Sequence, residues 1–243
     1  MVDIKSNYSR LFWISITGSS ILKFFLAYFF PLTGDEAYFI TSGKFFDLGY
    51  YEHPPLIWWI IYISSFFGRY TFHFFYYRLF SIFTTLLIGY LIFILLKTEE
   101  EKRYLISSFF LLSPVYLLSF LITNDIPLLF FTFLSGIFFY KGIKEERKID
   151  FIISGTFFGL AFLSKYLSIL YLIGVFVYVT LRNEKKLWKN FFVFFAFSLP
   201  LIFINLYWNY THCWINVLFN LVYRRKTEYF KIKNIILFFL SIF

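Results

Sequence analysis

Long apolar runs separated by short polar breaks set the pattern of this chain. The runs predict helices near residues 11–31, 73–96, 104–122, 126–142, 151–164, 166–181 and 190–208, with an eighth beginning near 234. Crossing a hydrocarbon layer takes about 20 apolar residues, and several runs reach that length. The stretch 151–181 could be one helix or two. As one it would be about 46 Å long against roughly 30 Å of hydrocarbon, so two helices turning near Lys165 are expected. From Asn234 the chain has only ten residues left, about 15 Å of helix. That helix is incomplete, or the sequence is a fragment. The expected fold is all-α, a polytopic transmembrane helical bundle forming one domain over 1–243.

The loop 32–72 departs from this alternation. Its apolar pieces, Glu36–Leu48 and Leu56–Phe67, are too short to span. Two helices lying along the membrane interface fit them better, and would hold Asp35 and His53 near one another.

Composition strengthens the membrane reading. The chain is 60% hydrophobic, with 40 Phe and 20 Tyr in 243 residues, and its mean hydropathy is +0.70. That is more apolar surface than one aqueous core can bury. The first run, Leu11–Leu32, follows Lys5 and Arg10 but ends in PLTGDEAY rather than a small-residue cleavage site, so it reads as a retained helix. The lone Cys213 rules out an intramolecular disulfide, and there is no CxxC knuckle. The net charge of +9 fits cytoplasmic loops rather than nucleic-acid binding. Thirteen of the 23 basic residues lie in the N-terminus and the breaks at 97–103, 141–150 and 182–190. Those segments share one side if the helix count holds, and that side is the cytoplasm. The loop 32–72 and the turn Thr123–Asn124–Asp125 are then external. Arg224, Arg225, Lys226, Lys231 and Lys233 resist the scheme. Either the topology reverses there, or they form an external basic patch facing lipid phosphates.

Candidate chemistry concentrates in the external segments. Asp35 and Glu36 follow the first helix; they are a capping or solvated pair, or Asp35 is a general base at the aqueous face. Asp125 opens a short helix, as an N-cap backed by Pro127 or as a recessed functional carboxylate. Lys165 snorkels easily from its turn, whereas Lys23, about 12 Å inside the first helix, calls for an acid or a phosphate. Arg78 is an interfacial anchor or a phosphate ligand. Glu52 and His53 supply two potential metal ligands but no third. No H-E-x-x-H, P-loop, GxGxxG or GxSxG occurs.

Five segments in order, GDEAYF (34–39), YYEHPPL (50–56), TNDIPLLFF (123–131), GLAFLSKY (159–166) and LPLIFINLYWN (199–209), resemble the dolichyl-phosphate-mannose protein mannosyltransferase-like family. That family includes the lipid A aminoarabinose transferases. The resemblance implies a GT-C glycosyltransferase of the cytoplasmic membrane with its active site on the external or periplasmic face. It would move a sugar from a polyprenyl-phosphate donor to a lipid, protein or glycan acceptor. It implies that Asp35 is the base, that Glu36 supports it, and that Asp125 is a second acid beside the site. His53 stands where some relatives have a lysine near the carrier phosphate, so that role could shift to Lys165 or Arg78. Glu52 matches a position associated with a divalent metal in some relatives. Family members usually continue through further helices, and this chain covers the N-terminal half. The alternatives are a non-catalytic carrier-binding or transport subunit and an inactive truncated fragment.

Overall fold

Proline, glycine and capping side chains divide the apolar runs into helices. The computed structural model describes residues 4–68, 73–98 and 100–223, and every regular element among them is helical. In chain order these are α1 (Ile4–Phe29), α2 (Gly34–Ser42), α3 (Leu56–Gly68), α4 (Phe75–Leu95), α5 (Glu100–Leu112) and α6 (Pro114–Leu118). They are followed by α7 (Asp125–Glu145), α8 (Lys148–Ser164), a 3₁₀ turn at Tyr166–Ser168, α9 (Ile169–Arg182), α10 (Lys185–Thr211) and α11 (Ile215–Leu218). Four segments are long and apolar enough to cross a membrane: Asn7–Phe29, Phe75–Leu95, Asp125–Glu145 and Lys185–Thr211. The fold is an all-α polytopic bundle.

Three departures from the apolar pattern have clear causes. The helix expected over 104–122 is broken. Pro114 cannot supply a helical N–H and crowds the preceding turn, so α5 stops at Leu112, and Ser113 caps α6 by accepting from Tyr116 N–H at 3.2 Å. Residues 119–124 then run without helix. In the loop 32–72, the first expected helix ends at Ser42 rather than near Leu48. At its end Gly43 lies against Ile61, where a Cβ would come within 2.7 Å of that side chain. Third, α7 runs to Glu145, a turn beyond expectation. At 21 residues it is about 31 Å long, and the Asp125 side chain at its start is 63% exposed. Near Lys165, whose backbone is extended at φ −161° and ψ 137°, the chain turns from α8 towards α9. The helix expected from 234 and the basic cluster at 224–233 lie outside the described residues.

Two of the four packed clusters among the described residues hold the longer helices together. In one, Phe139, Phe151, Phe158, Val179 and Phe194 bury one another between α7, α8, α9 and α10. Gly155 lets α8 and α10 touch backbone to backbone, since a Cβ there would sit 2.0 Å from the Phe194 carbonyl oxygen. Ser135 and Ser154 each donate to the other's carbonyl, at 2.9 and 2.8 Å, and so join α7 to α8. In the other group Phe12 of α1 stacks on Phe93 of α4 beside Tyr104 of α5.

Helix direction sorts the polar residues between two ends. The basic breaks gather at one end, where Lys186 bonds Glu146 at 2.5 Å and Arg147 pairs with Asp150 at 3.3 Å. The opposite end collects the C-termini of α1, α8 and α10 and the N-termini of α4 and α7. All eight candidate residues except the deeper Lys23 lie there.

Candidate functional site

The site is assembled around an ion pair that is closed to solvent. Thr33 caps α2 in a reciprocal capping box with Glu36, which fixes the first turn and turns Glu36 inward. There its carboxylate meets Arg78 of α4, with Nε to Oε1 at 2.8 Å and Nη2 to Oε2 at 2.6 Å, and both side chains are fully buried. The remaining Arg78 N–H groups donate to the carbonyls of Ala27, Phe30 and Pro31 at 2.9, 2.7 and 3.0 Å. These lie where α1 ends and its carbonyls have no helical partner. Glu36 also accepts from Ile122 N–H at 3.1 Å, three residues before Asp125. Burial acts to raise the Glu36 pKa. The Arg78 bonds, the Thr33 and Ile122 N–H groups and the Arg78 charge outweigh it, and the carboxyl sits below its ordinary value.

Locking Glu36 inward leaves its neighbour outward: Asp35, in the same first turn, is exposed. One turn further along α2, burial and then the charge of Glu52 raise the Tyr38 pKa. Glu52 and half-buried His53 belong to the segment 50–55, which is held from the far side of the bundle. Asn216 Nδ2 donates to the carbonyls of Tyr50 and Tyr51 at 2.7 and 3.1 Å, and Asn220 Nδ2 to that of Glu52 at 2.7 Å. Upstream, Trp208 Nε1 donates to Asp47 Oδ1 at 3.0 Å. Its ring lies flat enough on Gly49 that a Cβ there would come within 2.2 Å.

Across this end Asp125 meets Lys165, Oδ1 to Nζ at 2.6 Å, with the lysine side chain 30% exposed. Asn124, not Asp125, occupies the N-cap position of α7, and it makes no side-chain cap bond. The Asp125 carboxylate is thereby available to the lysine. Next to Lys165, Tyr166 Oη lies 2.8 Å from Asn205 Oδ1 and 2.6 Å from Asn216 Oδ1. One hydroxyl thus ties the Lys165 turn to the residue that grips the loop before His53. Lys23 stands apart. Its Nζ donates to Thr85 Oγ1 at 2.6 Å and Ser119 Oγ at 2.8 Å, and lies 3.5 Å from the centre of the Tyr116 ring.

A divalent metal at Glu52 is not supported by the donor set. Among the described residues no group of three or more His, Cys, Asp or Glu comes together, whereas hard cations need several oxygen ligands.

The polar end is built from segments scattered over the chain, and most of them fall inside one recognisable unit. The sequence profile of the dolichyl-phosphate-mannose-protein mannosyltransferase family matches residues 52–208, about two thirds of the chain. The chain belongs to that family. The family is one of membrane glycosyltransferases, and with its four long apolar helices this member is a multi-pass membrane protein. Comparison with curated proteins and with solved structures gives no match. His53, Arg78, Asp125 and Lys165 lie within the matched segment of this mannosyltransferase-family chain, and Asp35, Glu36 and Lys23 precede it.

Several residues of the polar end escaped sequence reasoning. Asn205 and Asn209, four apart in an apolar helix, carried a visible signal, because a buried amide in a membrane helix needs partners. Asn216, Tyr166 and Trp208 carried none, since their partners at this end lie 39 to 166 residues away.

Proposed function

We propose that this chain moves a sugar from a polyprenyl-phosphate carrier to an acceptor hydroxyl or amine at the external face of the cytoplasmic membrane, with Asp35 as general base. The observation that carries this reading is the division of labour within Asp35–Glu36. One carboxylate is consumed by Arg78 and backbone N–H groups, and the adjacent one faces solvent. A base must reach its substrate's proton, and of the two only Asp35 can. In the step proposed, Asp35 takes the proton of the acceptor and the acceptor's lone pair bonds to the anomeric carbon. The bond from that carbon to the phosphate oxygen breaks, the electron pair leaves with the carrier phosphate, and the configuration inverts. Lys165 and His53 would face the departing phosphate, where positive charge and N–H donors favour the transition state. Asp125 holds Lys165 in place. Glu36 and Arg78 act as positioning residues and touch neither substrate.

The test uses membranes carrying the full chain, incubated with radiolabelled polyprenyl-phosphate sugars and analysed for product. Asp35→Asn should lower transfer by about 10²-fold or more with donor binding retained, and transfer at the wild-type rate would remove Asp35 from the role. Lys165→Met should lower kcat as well as raise the donor KM, since the charge it removes is placed to favour phosphate departure. For the face, a cysteine at position 125 in a Cys213→Ser background should react with an impermeant thiol reagent added outside. Labelling only from the cytoplasmic side would reverse the topology.

A further inference from the structure

Towards the basic end, α7 and α9 leave a cleft of about 420 Å³ between them, within the size range of small-molecule sites. One face of each helix lines it, from Gly136 to Ile143 on α7 and from Tyr171 to Tyr178 on α9. Phe139 and Val175, both part of the buried core, form its inner wall. A Cβ on Gly174 would meet nothing within 4 Å, and one on Gly136 would meet only the Tyr171 side chain at 3.9 Å. The space beside both glycines is therefore open. Lining atoms that face a void lose their dispersion contacts, so in a bilayer such a slot favours hydrocarbon as its filling. α9 itself buries two residues, Val175 and Val179, and would gain a packed wall from whatever fills the cleft.

Both lining faces end in a cation. Lys144 comes four residues after Tyr140, and Arg182 four after Tyr178. Residues at that spacing share a helix face, which puts both charges at the mouth of the cleft. The Arg182 guanidinium lies 6.0 Å from the centre of the Tyr178 ring. Nearby acids do little to neutralise the mouth. Glu145 bonds Arg147 and Glu146 bonds Lys186, and Lys144 pairs with no carboxylate among the described residues. Glu184 stands 3.9 Å from Arg182 with both side chains more than half exposed, a contact loose enough to admit another anion. Across 141–150 and 182–189, eight Lys and Arg face four Asp and Glu. An apolar slot that opens between cations fits a molecule with a hydrocarbon chain and an anionic head. We propose that this cleft binds an anionic phospholipid of the leaflet at the basic end. One acyl chain lies along Gly136 and Gly174, and Lys144 and Arg182 meet the phosphate. The site is at the opposite end from Asp35, Lys165 and His53, goes beyond the transfer reaction proposed above, and would stand even if Asp35 proved not to be the base.

The test is native mass spectrometry of the full chain released from detergent micelles, titrated with dioleoyl phosphatidylglycerol and, separately, with dioleoyl phosphatidylcholine. Phosphatidylglycerol should bind about tenfold tighter or more, since each juxtamembrane cation favours an anionic headgroup by a factor of about five. Lys144→Gln with Arg182→Gln should remove that preference and bring the two lipids level. Gly174→Leu places its side chain in open space, so it should stay folded and weaken phosphatidylglycerol severalfold by occupying the cleft. Gly136→Leu gives a second filling variant from the facing helix. Unchanged affinity in both leucine variants would reduce the cations to a diffuse surface attraction and overturn the site. Equal binding of the two lipids by the wild type, or a preference that survives loss of both cations, would overturn it as well. A dimer in lipid-free micelles that Gly174→Leu dissociates would give the cleft to a second copy of the chain and not to lipid.

Discussion

Removing Arg78 or Glu36 singly should be among the most damaging changes available at the polar end. Arg78→Met would leave the Glu36 carboxylate buried with only N–H and hydroxyl donors from Thr33 and Ile122, and would strip three carbonyls, at Ala27, Phe30 and Pro31, of their donor. Breaking a buried pair from one side costs about 3–5 kcal/mol, and the stranded carbonyls push this variant towards the upper figure. Glu36→Leu strands Arg78 in the same way but leaves the three carbonyls capped, so it should cost about 3–4 kcal/mol. The double variant Glu36→Leu with Arg78→Met removes both charges and should cost about 2 kcal/mol or more less than the sum of the singles. What remains is the loss of partners for Ile122 N–H and the α1 carbonyls. Reversible unfolding of the purified chain in mixed micelles, titrated with dodecyl sulfate, measures all four corners of the cycle. A single variant costing less than about 1 kcal/mol, or strict additivity, would refute the view that this pair fastens α1, α2, α4 and the 119–124 segment together.

The same pair sets a pH dependence. The folded Glu36 carboxyl lies below its ordinary value of 4.5, so in acid the unfolded chain binds this proton more readily than the folded one. Its contribution is fully present above about pH 4.5 and lost as the pH falls through the folded value. Unfolding midpoints from pH 7 to 3 should drop over that lower window in the wild type and drop less in Glu36→Gln. Gly155→Ala should destabilise by about 1–3 kcal/mol, because its Cβ would sit 2.0 Å from the Phe194 carbonyl oxygen and force α8 from α10; an unchanged unfolding curve would show that the helices can part freely. Asp125→Asn, which breaks a partly exposed pair, should change stability by less than about 1 kcal/mol while lowering sugar transfer. A large stability loss would make that pair a fastening rather than part of the site.

The sequence displayed its helices through apolar runs, and it displayed Asp35, Asp125 and Lys165 because charges between such runs are conspicuous. It did not show how the two acids of GDEAYF differ. That difference comes from Arg78, 42 residues away, and no local pattern encodes it. The break at Ser113–Pro114 was written in the chain as an N-cap followed by an N1 proline, but the apolar continuity from 104 to 122 hid it. Lys23 stood out by depth alone. Its oxygen partners lie 62 and 96 residues on, so only the folded chain reveals that it meets hydroxyls rather than an acid. Glu52 and His53 offer metal ligands only as a pair of sequence neighbours, and among the described residues no third His, Cys, Asp or Glu joins them.

The uneven lengths of the helices bear on the lipid around them. α1 and α10, with 26 and 27 residues, extend about 40 Å, whereas α5 and α9, with 13 and 14, reach only about 20 Å. Hydrocarbon meeting so short a wall must thin or tilt to match it. The short helices flank a second cavity, which Phe110 of α5 and Leu170 and Tyr171 of α9 help to line. Hydrophobic mismatch would therefore thin the bilayer along that flank. In a thicker bilayer the thinning costs more, so the thickness of the membrane itself weighs on the stability of the bundle there.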